Sequence, residues 1–122
     1  MVVRADAPVL IVDDNPDTRD VLRHVLAIRG YPTATAADGQ AALDYLRGGG
    51  DVSLIILDLR MPGMDGHAFR AAQMADPLLA DIPVIIFTAS PETDLPNPAP
   101  LLRKGTDPGI LLALVGAARR TH

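Results

Sequence analysis

Short apolar runs alternate with amphipathic stretches along the whole chain. Val9 to Val12 (VLIV) is an uninterrupted apolar run followed by Asp13 and Asp14, which predicts a short buried strand. A helix should follow. Asn15 is suited to cap it, Pro16 fits the first position where its missing N–H costs nothing, and Val21, Leu22, Val25, Leu26 and Ile28 recur at helical spacing. Gly30 suits the left-handed position just past that helix. Tyr31 to Ala36 reads as a weaker strand. Asp38 to Arg47 reads as a second helix, with Ala41, Ala42, Leu43, Tyr45 and Leu46 apolar, ended by Gly48-Gly49-Gly50. Val52 to Leu57 is nearly continuous in apolar residues, the pattern of a central strand covered on both faces. Gly63 and Gly66 interrupt the chain before a short helix from about His67 to Ala75. Pro83 to Thr88 (PVIIFT) and the brief Leu101-Leu102 give two more strands, and Ile110 to Ala118 a closing helix. The order β-α-β-α-β-α-β-loop-β-α, with short connections, predicts an open α/β sheet whose right-handed crossovers put helices on both faces.

Composition narrows this picture. The 122 residues suit one domain, and at that size roughly two-thirds of the unfolded surface is buried on folding, enough for an independent core. With no cysteine, disulfides, thiolate metal sites and cysteine nucleophiles are excluded. A net charge of -4 argues against a nucleic-acid partner, which needs a basic face, and Arg119-Arg120 is too short a basic cluster to change that. No apolar run approaches the roughly 20 residues that span a bilayer, and MVVRADAP lacks a signal-peptide core, so no membrane contact and a cytoplasmic location are expected. Two biases stand out. Only one of the 11 basic residues is a lysine, Lys104, and five of the 11 prolines lie between Pro91 and Pro108.

In an open α/β sheet, ligands bind beyond the carboxyl ends of the strands. Those ends carry Asp13-Asp14, Asp58, Thr88 and Lys104. Singly, each has an ordinary reading as a turn former, strand residue or solvated lysine; their coincidence on one rim does not. Three carboxylates within about 5 Å repel by about 3 kcal/mol per pair at an effective dielectric of 20, which a hard divalent cation relieves. All-oxygen ligation points to Mg2+, with Mn2+ also possible, rather than zinc. A cation with open positions binds phosphoryl oxygens, and Lys104 and Thr88 supply an ammonium and a hydroxyl to the same group. One carboxylate is then left as a nucleophile toward phosphorus, forming an acyl phosphate.

With these residues in view, the chain from Pro8 to about Arg119 resembles a response regulator receiver domain of two-component signalling. The resemblance rests on VLIVDDNPD, LIILDLRMPGMDG and DIPVIIFTA. It implies a flavodoxin-like, doubly wound five-stranded parallel sheet of order 2-1-3-4-5, with a receiver domain over 8–120 and an N-terminal tail over 1–7. It also implies Asp58 as phosphoacceptor, Asp14 as a direct Mg2+ ligand and Asp13 acting largely through water. The Arg60 backbone carbonyl would be a further ligand, and Thr88 and Lys104 would grip the phosphoryl group. The implied donor is a phosphohistidine on a sensor histidine kinase or histidine phosphotransfer protein, and the output is an unknown downstream protein. Such a domain is no conventional enzyme, since it catalyses only its own phosphorylation and dephosphorylation. Arg60 and Ser90 flank the acceptor, where equivalent family positions tune dephosphorylation.

The sequence also departs from the family. A helix normally lies between the strand ending at Thr88 and the strand before Lys104, but here Pro96, Pro98 and Pro100 forbid it beyond one turn, so it should be missing or reduced to a loop. Leu101 stands where the family often has an aromatic switch residue. Gly105 follows the lysine where a cis-proline is usual, which predicts a trans bond and a less firmly held Lys104. These departures leave an alternative, an unconventional receiver acting mainly as an interaction module through the proline-rich 90–100 segment. An aspartate-nucleophile phosphohydrolase is disfavoured because its second carboxylate would fall at Arg60. A flavin or dinucleotide site is disfavoured because DDNPD is acidic and lacks glycine. His24 and His67 read as helix-surface residues, Met61 and Met64 as packing residues, and Phe87 as core. Only Thr121 and His122 follow Arg120, so a stand-alone regulator or a module of a larger kinase is expected, with no output domain in this chain.

Overall fold

A computed structural model describes residues 6–120. The elements run β1 (Val9–Val12), α1 (Pro16–Ile28), β2 (Thr33–Ala36), α2 (Gly39–Arg47), β3 (Leu54–Leu57), α3 (Gly66–Ala75), β4 (Val84–Thr88), β5 (Leu101–Arg103) and α4 (Pro108–Arg120). All pairings are parallel and the order is β2-β1-β3-β4-β5, as expected. Among the described residues, no helix is long and apolar enough to cross a membrane. Most of the expected tail, residues 1–7, lies outside the described residues; Ala7 is buried and its carbonyl accepts from Arg119.

The strands are apolar on both sides because each side packs against helices. Leu10, Val12, Ile55, Leu57, Val84 and Ile86 point to one layer, with Ala42, Leu43 and Leu46 of α2 and Phe69 of α3. Val9, Ile11, Leu54, Ile56 and Ile85 point to the other, with Leu22 and Leu26 of α1 and Leu111, Leu112 and Val115 of α4. This period of two splits continuous apolar runs into two cores. Boundaries shifted where caps decide them. Asp38 caps α2 through the Ala41 amide instead of entering it, and Gly66 begins α3 with Asp65 as cap. β2 starts at Thr33 and β3 at Leu54, and α4 starts earlier than expected, at Pro108, where Asp107 accepts from the Gly109 amide. Gly30 has φ 74°, with its N–H on Ala27 and that of Tyr31 on Leu26, which closes α1 in a Schellman turn.

No helix occupies 89–100. An extended segment covers that part of the sheet instead, packing Leu95 and Ala99 with Leu101 against the first core. Prolines remove N–H donors and leave carbonyls to be satisfied. Two arginines do this. Arg103 donates to the carbonyls of Ser90 and Glu92, and Arg70 to those of Asn97 and Pro98. Arg70 is itself 8% exposed and donates to Gln73 Oε1, while Gln73 Nε2 donates to the carbonyls of Leu79 and Ile82. A guanidinium carries five donors in a fixed fork and an ammonium carries three. The arginine bias thus has a structural use in this segment.

Candidate functional site

Parallel register brings four strand ends to one rim. Val12, Leu57 and Ile86 are neighbours across β1, β3 and β4, so Asp13, Asp58 and Thr88 leave the sheet together, and the Lys104 amide bonds the Thr88 carbonyl from β5. Ligand oxygens of Asp13, Asp14 and Asp58 lie within 4.8 Å of one another. Asp13 and Asp58 are buried and Asp14 is exposed. The Lys104 ammonium bridges the buried pair, 2.8 Å from Asp13 Oδ2 and 3.2 Å from Asp58 Oδ2. The other Asp13 oxygen accepts the Asn15 amide at 2.9 Å, and the Arg60 amide points at Asp58 Oδ1 at 3.4 Å. Thr88 is fully buried, and its Oγ1 accepts the Ser90 amide, which leaves its hydroxyl proton available for donation.

Burial pushes the Asp13 carboxyl above its ordinary value, aided by Asp58, and outweighs the opposing pull of Lys104 and the Asn15 amide. Between the ordinary and the raised value the folded state holds the extra proton. This carboxyl therefore favours folding in mild acid, a contribution lost as pH rises through its folded pKa. Burial alone would lower Lys104, but its bonds and attraction to Asp13 and Asp58 win and raise it, so the ammonium stays charged. Lys104-Gly105 is trans, as expected, and Gly105 has φ 95°. Two ion pairs hold the lysine where a cis-proline is absent.

Lys104 does not bridge Asp14, which faces a shallow hollow of about 440 Å³ lined also by Arg60, Met61, Pro62 and Asp65. An all-oxygen set with one open carboxylate suits a hard cation such as Mg2+. Without metal, the third charge only repels. Asp14→Ala is expected to raise stability in EDTA, by up to about 1 kcal/mol for a solvent-facing charge, and to lose the stabilisation that Mg2+ gives the parent. Urea unfolding with and without Mg2+ reads both effects; a less stable variant in EDTA would contradict the repulsion.

The loop after β3 explains the glycines in LIILDLRMPGMDG. Gly63 turns the chain at φ 71°. Gly66 is needed for closeness: an added Cβ would sit 2.4 Å from the Asp58 carbonyl oxygen and 2.8 Å from Leu59 Cα. Its amide donates to the Leu59 carbonyl, so the first turn of α3 rests directly on the peptide behind Asp58. Gly66→Ala is expected to cost about 1–3 kcal/mol in denaturation, since backbone must move. Unchanged stability would mean that α3 is not seated this closely.

Other sequence expectations have mixed outcomes. Met61 is buried and Met64 packs against the first core, as expected. Phe87 is not fully buried. It lines an apolar hollow of about 340 Å³ between α1 and the start of α4, with Val21, Leu22 and Leu111, because β4 meets only the edge strand β5 there. Leu101 packs against the first core and pairs with Ile86. His67 lies on α3, but it is engaged. Its Nε2 is 2.6 Å from Glu92 Oε2, while Glu92 Oε1 accepts Arg60 Nε at 3.1 Å and Ser90 Oγ at 3.0 Å. The bonds to His67 and Ser90, helped by the Arg60 charge, hold the Glu92 carboxyl below its ordinary value. Sequence reasoning missed Glu92. An acid inside a proline-rich stretch gives no local sign of partners 25 and 32 residues away.

Comparison with known proteins agrees with this geometry. The family model described as response regulator receiver domain matches residues 9–102. The chain belongs to the response regulator receiver domain family. It is 30% identical over 118 residues to Protein Rrf1 of Nitratidesulfovibrio vulgaris, covering 95% of this chain and 85% of that one. It spans only 32% of the probable transcriptional regulator ycf27 of Porphyridium aerugineum, at 35% identity over 66% of this chain. Among solved structures, the signal receiver domain of a signal transduction histidine kinase from Syntrophus aciditrophicus matches with TM-score 0.86 and 29% identity, over 94% of this chain and 91% of that one. Response regulator protein TrrA of Thermotoga maritima, solved in complex with Mg(2+)-BeF, matches with TM-score 0.82 and 28% identity, over 92% and 98%. As a receiver domain, the chain is a module of two-component signal transduction and not a conventional enzyme.

Proposed function

We propose that this receiver domain accepts a phosphoryl group on Asp58 in a Mg2+-dependent step, from a phosphohistidine of a sensor histidine kinase or histidine phosphotransfer protein. The observation that carries the proposal is the rim itself: three carboxylates within 4.8 Å, two of them bridged by the only lysine in the chain. Asp13, Asp14, Asp58 and the Arg60 carbonyl would hold the cation. Bound there, Mg2+ neutralises the clustered charge and binds phosphoryl oxygens. Asp58 is the nucleophile. One of its oxygens bonds to phosphorus as the P–N bond of the donor breaks, and the leaving imidazole nitrogen takes a proton. Lys104 then exchanges a carboxylate partner for a phosphoryl oxygen, and Thr88 donates its hydroxyl proton to another. Ser90 and Arg60 flank the acceptor, where they would tune dephosphorylation. Signalling would follow through a phosphorylation-dependent surface offered to a downstream protein.

Incubation with acetyl phosphate and Mg2+, followed by intact mass, tests this reading. One phosphoryl adduct is expected with Mg2+ and none with EDTA; absence of the adduct with Mg2+ would end the proposal.

A further inference from the structure

The segment 89–100 is tied to the proposed phosphoacceptor by a chain of contacts that starts and ends on the rim. From Asp58, the chain of contacts passes through the Arg60 amide to the Arg60 side chain, whose Nε donates to Glu92 Oε1. Glu92 Oε1 also accepts from Ser90 Oγ, and the Ser90 amide donates to Thr88 Oγ1, back on the rim. His67 of α3 holds the second oxygen of Glu92. Thus one carboxylate gathers side chains from the β3–α3 loop, from α3 and from its own segment. The Arg60 side chain is 70% exposed, so it is free to swing.

We propose that Glu92 is an anionic tether that competes with a phosphoryl group on Asp58 for the Arg60 guanidinium, so that phosphorylation frees the Glu92 end of the 89–100 segment from the β3–α3 loop and weakens its hold on His67. This rests on the phosphoacceptor reading above. Converting the Asp58 carboxylate into an acyl phosphate adds about one negative charge and presents new acceptor oxygens beside the residue that holds Glu92. A guanidinium pairs with phosphate through two parallel N–H bonds, which the single Nε contact to Glu92 does not match. The same added charge repels Glu92. Once Arg60 turns inward, Glu92 keeps His67 and Ser90 alone, and its carboxylate faces a more negative rim. The ties from Arg103 go to main-chain carbonyls of Ser90 and Glu92 and do not depend on the Glu92 side chain. The segment therefore stays attached to β5, and through Arg70 to α3 at Asn97 and Pro98, and loosens only at its Glu92 end. Glu92 is a positioning residue here, acting through Arg60 and never touching the reacting atoms.

The ring nitrogens of His67 report the tether directly. We would record their NMR resonances, assigned with His67→Gln, in the full chain with and without Mg2+ and beryllofluoride, following bound beryllofluoride by fluorine NMR. In the parent, beryllofluoride is expected to move the His67 resonances toward those of Glu92→Gln, and in Glu92→Gln it should move them little. In Arg60→Gln, which keeps Glu92 and the main-chain groups, the beryllofluoride response of His67 should be largely lost. This second variant keeps the test decisive if Glu92→Gln folds poorly. A bound fluorine signal with unmoved His67 resonances in the parent would overturn the tether alone. So would an unchanged response in Arg60→Gln. Absence of any bound fluorine signal in the parent would overturn the phosphoacceptor reading and the tether with it.

Discussion

Asp58→Ala is expected to take up no phosphoryl group from acetyl phosphate at any Mg2+ concentration, while Lys104→Ala still takes it up, slower by a factor of about 10²–10³. The two residues differ in kind. In the proposed step Asp58 would supply the oxygen that becomes bonded to phosphorus, a part its neighbours are not placed to take over: Asp13 is committed to Lys104 and the Asn15 amide, and Asp14 is turned to the solvent. Lys104 would form no covalent bond; its part in the proposed step is to stabilise charge that develops on the phosphoryl oxygens. Removing it would leave the three carboxylates and Thr88 in place, so the step should be slowed and not abolished. The variant also leaves Asp13 buried without its ammonium. Its carboxyl is then pushed still higher, and metal-free stability should fall more steeply with rising pH than in the parent. Time-resolved intact mass measures the first effect, and urea unfolding across pH the second. Equal rates for Lys104→Ala and the parent would remove the lysine from the chemistry.

Gln73→Leu is expected to destabilise the fold by about 3 kcal/mol or more, although leucine has nearly the same volume. Gln73 is wholly buried on α3, and every part of its amide is used. Its Nε2 serves the carbonyls of Leu79 and Ile82 at 3.0 Å each, and its Oε1 receives Arg70 at 2.7 Å. Leucine leaves the Ile82 carbonyl and part of a buried guanidinium without partners, each costing about 1–3 kcal/mol, and takes one of two bonds from the Leu79 carbonyl, which keeps the Ile82 amide. Arg70 would then be drawn toward water and loosen its hold on Asn97 and Pro98. Against a typical total of about 5–15 kcal/mol this is a large fraction, readable as a lower urea midpoint. Adding Arg70→Met should recover part of the loss, because the stranded charge goes with it. A single variant as stable as the parent would show that water replaces the amide at no cost.

The strands and the rim were legible in the sequence for a physical reason. In a parallel sheet covered on both faces, strands are apolar runs, and the first polar residue after each run lies at the ligand-binding edge. Asp13, Asp58 and Thr88 follow from that rule with no structural knowledge. The loss of a helix in 89–100 was equally legible, since proline acts on its own backbone. The attachments of that segment were not. Arg70 and Gln73 sit on an amphipathic helix, where polar residues ordinarily mark the solvent side, and here they point inward. Arg103 looks like any edge-strand cation. Glu92 finds Arg60 and His67 only after β4 has paired with β3. Phe87 packs against the second core but keeps part of its surface exposed, because less covers it near the sheet edge than an aromatic in an apolar run implies.

A helix forms and shifts as one cooperative body, because each of its turns depends on the next. The strap between Thr88 and Leu101 has no such internal bonding; its fastenings are side chains from α3, β5 and the loop after β3. They share few partners, so they can be undone one at a time, and substitutions at opposite ends should combine close to additively. Release should then be graded: one end can come away while the other holds, where a helix would have had to move entirely or not at all.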